Sequence, residues 1–185
     1  MAGLIEKLNE TAQYLKEKAG FTPEIAVILG SGLGKLADYI EDSVIIPYEE
    51  IPHFPRTTVI GHEGKLIFGT IRNRKVVAMK GRFHYYEGND MDAVVFPVRV
   101  FKRMGIENIL ITNAAGGINT GFKPGDLMLI SDHISLFCEN PLRGENIDEL
   151  GPRFPDMTAV YDRALRKIAL ASAQKLGIDL KEGIY

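Results

Sequence analysis

Residues 24–34, EIAVILGSGLG, carry five apolar side chains in a row and then turn abruptly to glycine. An unbroken apolar run of this length reads as a strand buried on both faces, the pattern of parallel strands in α/β proteins. The Gly-rich turn that follows lets backbone N–H groups approach an anion, and Ser31 adds a hydroxyl donor at an expected helix start. Gly32-Leu33-Gly34-Lys35-Leu36-Ala37 also traces the outline of a dinucleotide fingerprint. That fingerprint needs a βαβ unit closed by an acidic residue, and here the chain runs into proline-broken strand instead. The phosphate-binding P-loop fails as well, because its leading Gly is absent and Leu36 stands where Ser or Thr is required. Taken alone, residues 30–34 suit a plain tight turn as well as an anion-binding one.

Outward from this stretch the elements alternate. Residues 1–20 place Leu4, Ile5, Leu8, Ala12 and Leu15 at helical spacing between charges, an amphipathic surface helix stopped by Gly20 rather than a signal peptide. Residues 43–55, SVIIPYEEIPHFP, are short strand material interrupted by prolines. Residues 64–80 read as two strands around the turn RNRK. Residues 90–105 form a helix with an acidic first turn, Lys102 and Arg103 in its last turn, Gly105 as its stop and a kink expected at Pro97. ENILITNAAGG, residues 107–117, repeats the opening scheme of a buried strand running into small residues. Another strand is expected within 125–137, an amphipathic helix over 159–177 closed by Gly177, and the start of one more strand at 181–185. Residues 141–157 are rich in Gly and Pro and too long for a mere connection, which marks them as a functional loop. The expectation is a single α/β domain over residues 1–185, with a mixed central β-sheet flanked by helices.

Composition removes several classes of function. The chain has 185 residues, is 45% hydrophobic and 25% charged, and carries a net charge of −2, so no global field favours nucleic acid or an anionic membrane. An anion has to be held by a local cluster. No apolar stretch approaches a membrane span. The single cysteine, Cys138, excludes an internal disulfide framework and suits a reducing, cytoplasmic compartment. It lies in the apolar run ISLFCENP without an activating cation, so a buried, inert thiol is expected. His53 and His133 have no partners at metal-ligand spacing, and no metal site is expected.

Three strand ends remain as candidates: 30–34, 80–88 and 113–117. In MKGRFHYYEG, residues 79–88, Arg82 and His84 are two apart and share a face if the segment is extended. Arg offers a planar donor fork for phosphate or carboxylate and His a further donor. Glu87 is placed either to orient His84 or to pair with Arg82, and the plain alternative is a solvated charged strand exit. NAAGG admits close approach of a ligand, or of a helix. His62, between glycines in VIGHEGKL, is an ordinary loop histidine when read by itself. Together the three ends describe a metal-free phosphate clamp, with tyrosines beside it to pack an organic group.

At this point ILGSGLG, GHEGKL, KGRFHYYEG, TNAAGGIN, GDLMLISDHI, NPLRGEN and RFPDM occur in an order that resembles the trimeric purine nucleoside phosphorylases, bacterial 6-oxopurine-preferring members above all. The resemblance runs over essentially the whole chain. It implies phosphorolysis of purine ribo- or deoxyribonucleosides to free base and pentose 1-phosphate, with inorganic phosphate as co-substrate and no cofactor. It implies that Ser31, Arg82, His84 and the backbone N–H of Ala114 bind phosphate, that His62 lies on a mobile loop beside it, and that Tyr86 contacts the pentose. His84 and Glu87 are the catalytic pair it leaves in this stretch. Phe154 is implied to reach the pentose pocket of a neighbour in a homotrimer. Members of the family run on beyond this length. The implied purine-gripping Glu and Asn, and further sugar and phosphate contacts, are absent, so the chain carries chiefly the phosphate half of a site. Two rivals stand beside this reading: a 5′-methylthioadenosine phosphorylase on the same fold, and a non-catalytic phosphate- or nucleoside-binding product.

Overall fold

The computed structural model describes residues 2–55, 64–136 and 138–185 and divides them into two compact units, which meet in the chain at Ala114 and Ala115. The first is a mixed α/β unit. Its elements are helix α1 (Ala2–Ala19), strands β1 (Ile25–Leu29), β2 (Glu41–Pro47), β3 (Lys65–Ile71) and β4 (Arg74–Lys80), helix α2 (Met91–Met104) and strand β5 (Asn108–Ile111). The strands form one five-stranded sheet in the order β2-β3-β4-β1-β5. β2, β3 and β4 are an antiparallel meander, whereas β1 pairs in parallel with β4 on one side and β5 on the other.

The hairpin β3–β4 closes through Arg72 and Asn73, whose φ values of 47° and 64° give the mirror-image turn that suits the right-handed twist of a hairpin. Alternation along the strands then sorts their side chains. Val27, Leu29, Ile67, Val76 and Ala78 form one cluster with Ala37 and Ile40, which come from the short 3-10 helix Gly34–Tyr39 and its end. Ala26, Ile28, Leu66, Phe68, Val77 and Met79 occupy the alternate positions and are also buried. Phe21, just beyond α1, meets Phe68 edge-on at 6.3 Å. Helices α1 and α2 pack on one another, joined at the surface by Arg103 Nε donating to Asn9 Oδ1 at 2.8 Å. They add Leu8, Leu15, Phe96, Val100, Phe101 and Met104 to the buried set. Gly20 and Gly105 end the two helices at φ 74° and 88°, where only glycine lacks a steric penalty. Pro97 lies within α2 and is buried.

The second unit comprises β6 (Leu127–Asp132), α3 (Arg163–Lys175) and β7 (Leu180–Ile184), with β6 and β7 paired in parallel. Helix α3 begins four residues later than the periodicity predicts. The Asp162 side chain accepts from Leu165 N at 2.8 Å and so caps the helix rather than joining it. Residues 141–157 contain no helix or strand, as expected, but they are tied down from within. Arg153 Nη1 donates to the carbonyls of Leu142 (2.8 Å) and Gly144 (2.7 Å), and Asn146 Nδ2 donates to Asp148 Oδ1 and to the Gly151 carbonyl.

Two expectations of burial are overturned. β5, at the edge of the first unit's sheet, is exposed along its whole length. Cys138 is exposed as well, and its neighbours Ile134 and Leu136 are exposed with it. An apolar run is buried only when another layer lies against it.

Phe68 is fully buried in the central meander. Replacing it with Ala removes the transfer energy of the ring and leaves a cavity, an expected loss of about 3–5 kcal/mol. Urea denaturation of the wild-type chain and of Phe68→Ala measures it, and a loss below about 1 kcal/mol contradicts this account of the core.

Candidate functional site

The parallel pairing of β1 with both neighbours brings three strand exits to one edge of the sheet. Leu29 is in register with Lys80 and Ile28 with Ile111, so Gly30, Gly81 and Thr112 begin the three exits side by side. The connection leaving β1 runs to β2 on the β4 side, whereas the one leaving its neighbour β4 passes through α2 to β5 on the other side of β1. In open α/β sheets such a switch point opens a crevice at the carboxyl ends of the strands, which is where ligands bind.

The first exit is shaped by contact. A Cβ on Gly30 would lie 2.3 Å from the Thr112 carbonyl oxygen and 2.7 Å from Asn113 Cα, so β5's exit passes directly over this residue. Ser31 is exposed at the start of the turn, and Gly32 takes φ 86°. The sequence reads residues 30–34 as a turn, plain or anion-binding, and does not single out Gly30 for close packing. The geometry makes Gly30 a packing glycine and assigns the positive-φ role to Gly32.

At the second exit, Gly81 adopts φ 106°, and its carbonyl accepts from the Tyr48 hydroxyl at 2.7 Å. Tyr48 belongs to a buried aromatic cluster with Phe54 (4.9 Å between ring centroids) and Phe83 (5.3 Å). Burial pushes its hydroxyl far above the usual tyrosine pKa, so it stays a donor. Arg82 Nη1 donates to the Thr112 carbonyl at 3.1 Å, so the second exit is bonded to the third. His84 is extended, at φ −107° and ψ 143°.

Glu87 resolves its two alternatives in favour of His84: its carboxylate meets His84 Nδ1, and its side chain is only 4% exposed. A carboxylate can only accept, so the proton at this contact sits on Nδ1 and fixes the ring's orientation. The His84 carbonyl accepts from Asn89 Nδ2 at 3.1 Å, and Tyr86 stacks on the imidazole at 4.7 Å with 24° between the planes. Tyr86 is otherwise 79% exposed.

At the third exit, Thr112 Oγ1 accepts from Gly30 N at 2.8 Å and donates to the Ile28 carbonyl at 3.1 Å. Beyond it, Asn113 and Ala114 continue without regular structure, and Ala114 is exposed. Ser31, Arg82, His84, Tyr86, Glu87 and Ala114 all belong to the first unit. Phe154 belongs to the second, 87% exposed, with the Arg153 guanidinium 6.0 Å from its ring centroid. His62 lies outside the described residues. Among the described residues, no group of three or more His, Cys, Asp or Glu is arranged to hold a metal ion, and no helix is long and apolar enough to cross a membrane. Sequence reasoning missed Thr112 and Tyr48. Their signals, a Thr at a strand end and a Tyr after a proline, acquire meaning only from partners 82 and 33 residues away in the chain.

The packing at Gly30 predicts a contrast. Gly30→Ala drives a methyl group into the backbone of β5's exit and is expected to unfold this edge, lowering the melting temperature sharply. Gly32→Ala faces open space and incurs only the positive-φ penalty, about 1 kcal/mol. Thermal melts of the two variants check it, and equal shifts contradict the close approach.

Comparison with known proteins agrees with this geometry. The phosphorylase superfamily model matches residues 24–185. The chain is 53% identical over 178 residues to purine nucleoside phosphorylase 1 of Geobacillus stearothermophilus, covering 96% of this chain and 65% of that protein. It is 48% identical over 185 residues to the purine nucleoside phosphorylase of Mus musculus, covering 97% and 64%. A crystal structure of a purine nucleoside phosphorylase in complex with ribose-1-phosphate superposes with a TM-score of 0.92 at 46% identity, over 98% of this chain and 68% of that one. The Schistosoma mansoni enzyme in complex with inosine gives 0.92 at 45% identity, over 98% and 65%. The chain thus spans about two thirds of the length of the relatives it matches. A mixed sheet with three parallel strand exits at one edge, matched by fold and by sequence alike, means that this chain belongs to the phosphorylase superfamily.

Proposed function

We propose that this chain carries the phosphate side of a site for phosphorolysis of purine nucleosides. The observation that supports it best is the bonded edge formed by the exits of β1, β4 and β5, which brings together the chain segments that carry Ser31, Arg82, His84 and Ala114. In this reading Ser31, Arg82, His84 and the Ala114 N–H hold inorganic phosphate, and His62 closes over it. Tyr86 lies against the pentose, and Glu87 keeps the imidazole turned toward phosphate. Phe154 completes the pentose pocket of a neighbouring copy in a homotrimer, and residues 1–185 act as one phosphorylase-like domain of a cytoplasmic protein. The match that runs unbroken over residues 24–185 supports that last point.

The chemistry follows from charge. As the bond between the anomeric carbon and the purine nitrogen breaks, its electron pair leaves with the base and positive charge develops on the sugar, as in glycoside hydrolysis. A phosphate dianion held against that carbon stabilises the charge and then forms the new C–O bond, giving pentose 1-phosphate, while the purine takes up a proton. Fixing phosphate in line converts a bimolecular attack into a local one. Phosphate is a co-substrate here, and the mechanism needs no resident cofactor.

A second reading keeps the phosphate clamp without the catalysis. One experiment separates the two: hypoxanthine release from inosine, with and without phosphate. Phosphate-dependent release supports the enzyme. Phosphate binding by calorimetry without release supports the binder, and neither binding nor release overturns both. Arg82→Ala removes a charged fork, each hydrogen bond of which contributes about 1.5–3 kcal/mol, so phosphate affinity is expected to fall by roughly a hundredfold. Unchanged affinity by calorimetry removes Arg82 from the clamp.

A further inference from the structure

Thr112 begins the third strand exit and is bonded to the other two. Its hydroxyl accepts from Gly30 N (2.8 Å) and donates to the Ile28 carbonyl (3.1 Å), and its own carbonyl accepts from Arg82 Nη1 (3.1 Å). Its N–H donates to the same Ile28 carbonyl at 3.0 Å, which anchors the peptide to β1. A hydroxyl has one hydrogen to give, so donation to Ile28 orients its lone pairs toward Gly30 N. The Cβ-less approach of Gly30 to the Thr112 carbonyl makes this contact possible, and it leaves Gly30 N buried with the hydroxyl as its acceptor.

We infer that Thr112 is the positioning residue of the anion site. Its hydroxyl sets the height of the Gly30–Ser31 turn against the same peptide whose carbonyl holds the Arg82 guanidinium. The inference deepens the phosphate reading above and rests on it. Two donors that belong to separate segments, the Ser31 hydroxyl and the Arg82 fork, can converge on one anion only if their spacing is held to a fraction of an ångström. Beyond the β1–β4 ladder, which ends at Leu29 and Lys80, the two segments are joined through Thr112. Val at this position keeps the shape and removes the acceptor, so Gly30 N loses its partner and the turn is free to shift. Ser restores the hydroxyl and loses only a methyl group.

The test uses the full chain, ¹⁵N-labelled, as wild type, Thr112→Val and Thr112→Ser, with Thr112→Ala as a second hydroxyl-free variant should Val crowd the site. Amide hydrogen exchange at Gly30 is followed without ligand, with Val77 in β4 as the internal control, and inorganic phosphate is titrated into the same samples. Gly30 exchange is expected to rise at least tenfold in the Val variant with Val77 unchanged, phosphate affinity to fall on the order of tenfold, and Ser to restore both. A merely structural threonine would speed Gly30 and Val77 together and leave the phosphate affinity of the folded fraction intact, and that result overturns the inference. So does unchanged exchange at Gly30. A flat phosphate titration in the wild-type chain overturns the phosphate reading itself, and Gly30 exchange, which needs no ligand, tells that failure apart from failure of the role of Thr112 in holding the turn.

Discussion

The parallel pairing of β1 with β4 on one side and β5 on the other is the constraint on which the candidate site depends. β1 is five residues long and apolar throughout, and it has parallel partners on both edges. Parallel strands in register end together. Residues far apart in the chain, Gly30, Gly81 and Thr112, therefore start their loops from one line. Slipping β1 by one residue would turn Val27 and Leu29 out of the cluster they share with Ala37, Ile67 and Ala78. The hydrophobic core thus sets the register, and the register sets the spacing of the polar groups at the sheet edge.

Above that edge the polar groups are supported rather than simply displayed. Arg82 is bonded to the Thr112 carbonyl, His84 is turned by Glu87 and covered by Tyr86, and the peptide before Arg82 is held by the Tyr48 hydroxyl. Each support comes from a different part of the chain or from the far end of the same loop. Tyr48 also reaches into the aromatic cluster with Phe54 and Phe83, so the arm bearing Arg82 and His84 is seated on core packing. Precision at a site requires this arrangement, since a loop held only by its own backbone samples many geometries.

The second unit is built differently. Few of its side chains are buried, and β6 and β7 form a sheet of only two strands. The 141–157 segment nevertheless has a defined course, because Arg153 ties the Leu142 and Gly144 carbonyls together and places its guanidinium beside the Phe154 ring. A long irregular loop with internal bonds of this kind presents a side chain without needing a helix or strand to do so.

Much of this was open to reading in the sequence, for definite reasons. Periodicity and end signals placed both helices of the first unit, the hairpin at Arg72–Asn73 and the strand before Gly30, since each depends on residues within a turn or two of one another. The ordered motifs pointed to the family, and residue type alone singled out Arg82, His84 and Ser31 as candidates for binding an anion. Burial was not legible for β5 or Cys138: an apolar run shows what a segment prefers, whereas only the neighbouring layers decide whether it is covered. The start of α3 depended on the Asp162 side chain choosing to cap. The partner of Glu87, the close approach at Gly30, and the places of Tyr48 and Thr112 were decided by tertiary structure. Each is a contact whose geometry no local pattern encodes, and for Gly30, Tyr48 and Thr112 the partner lies dozens of residues away in the chain.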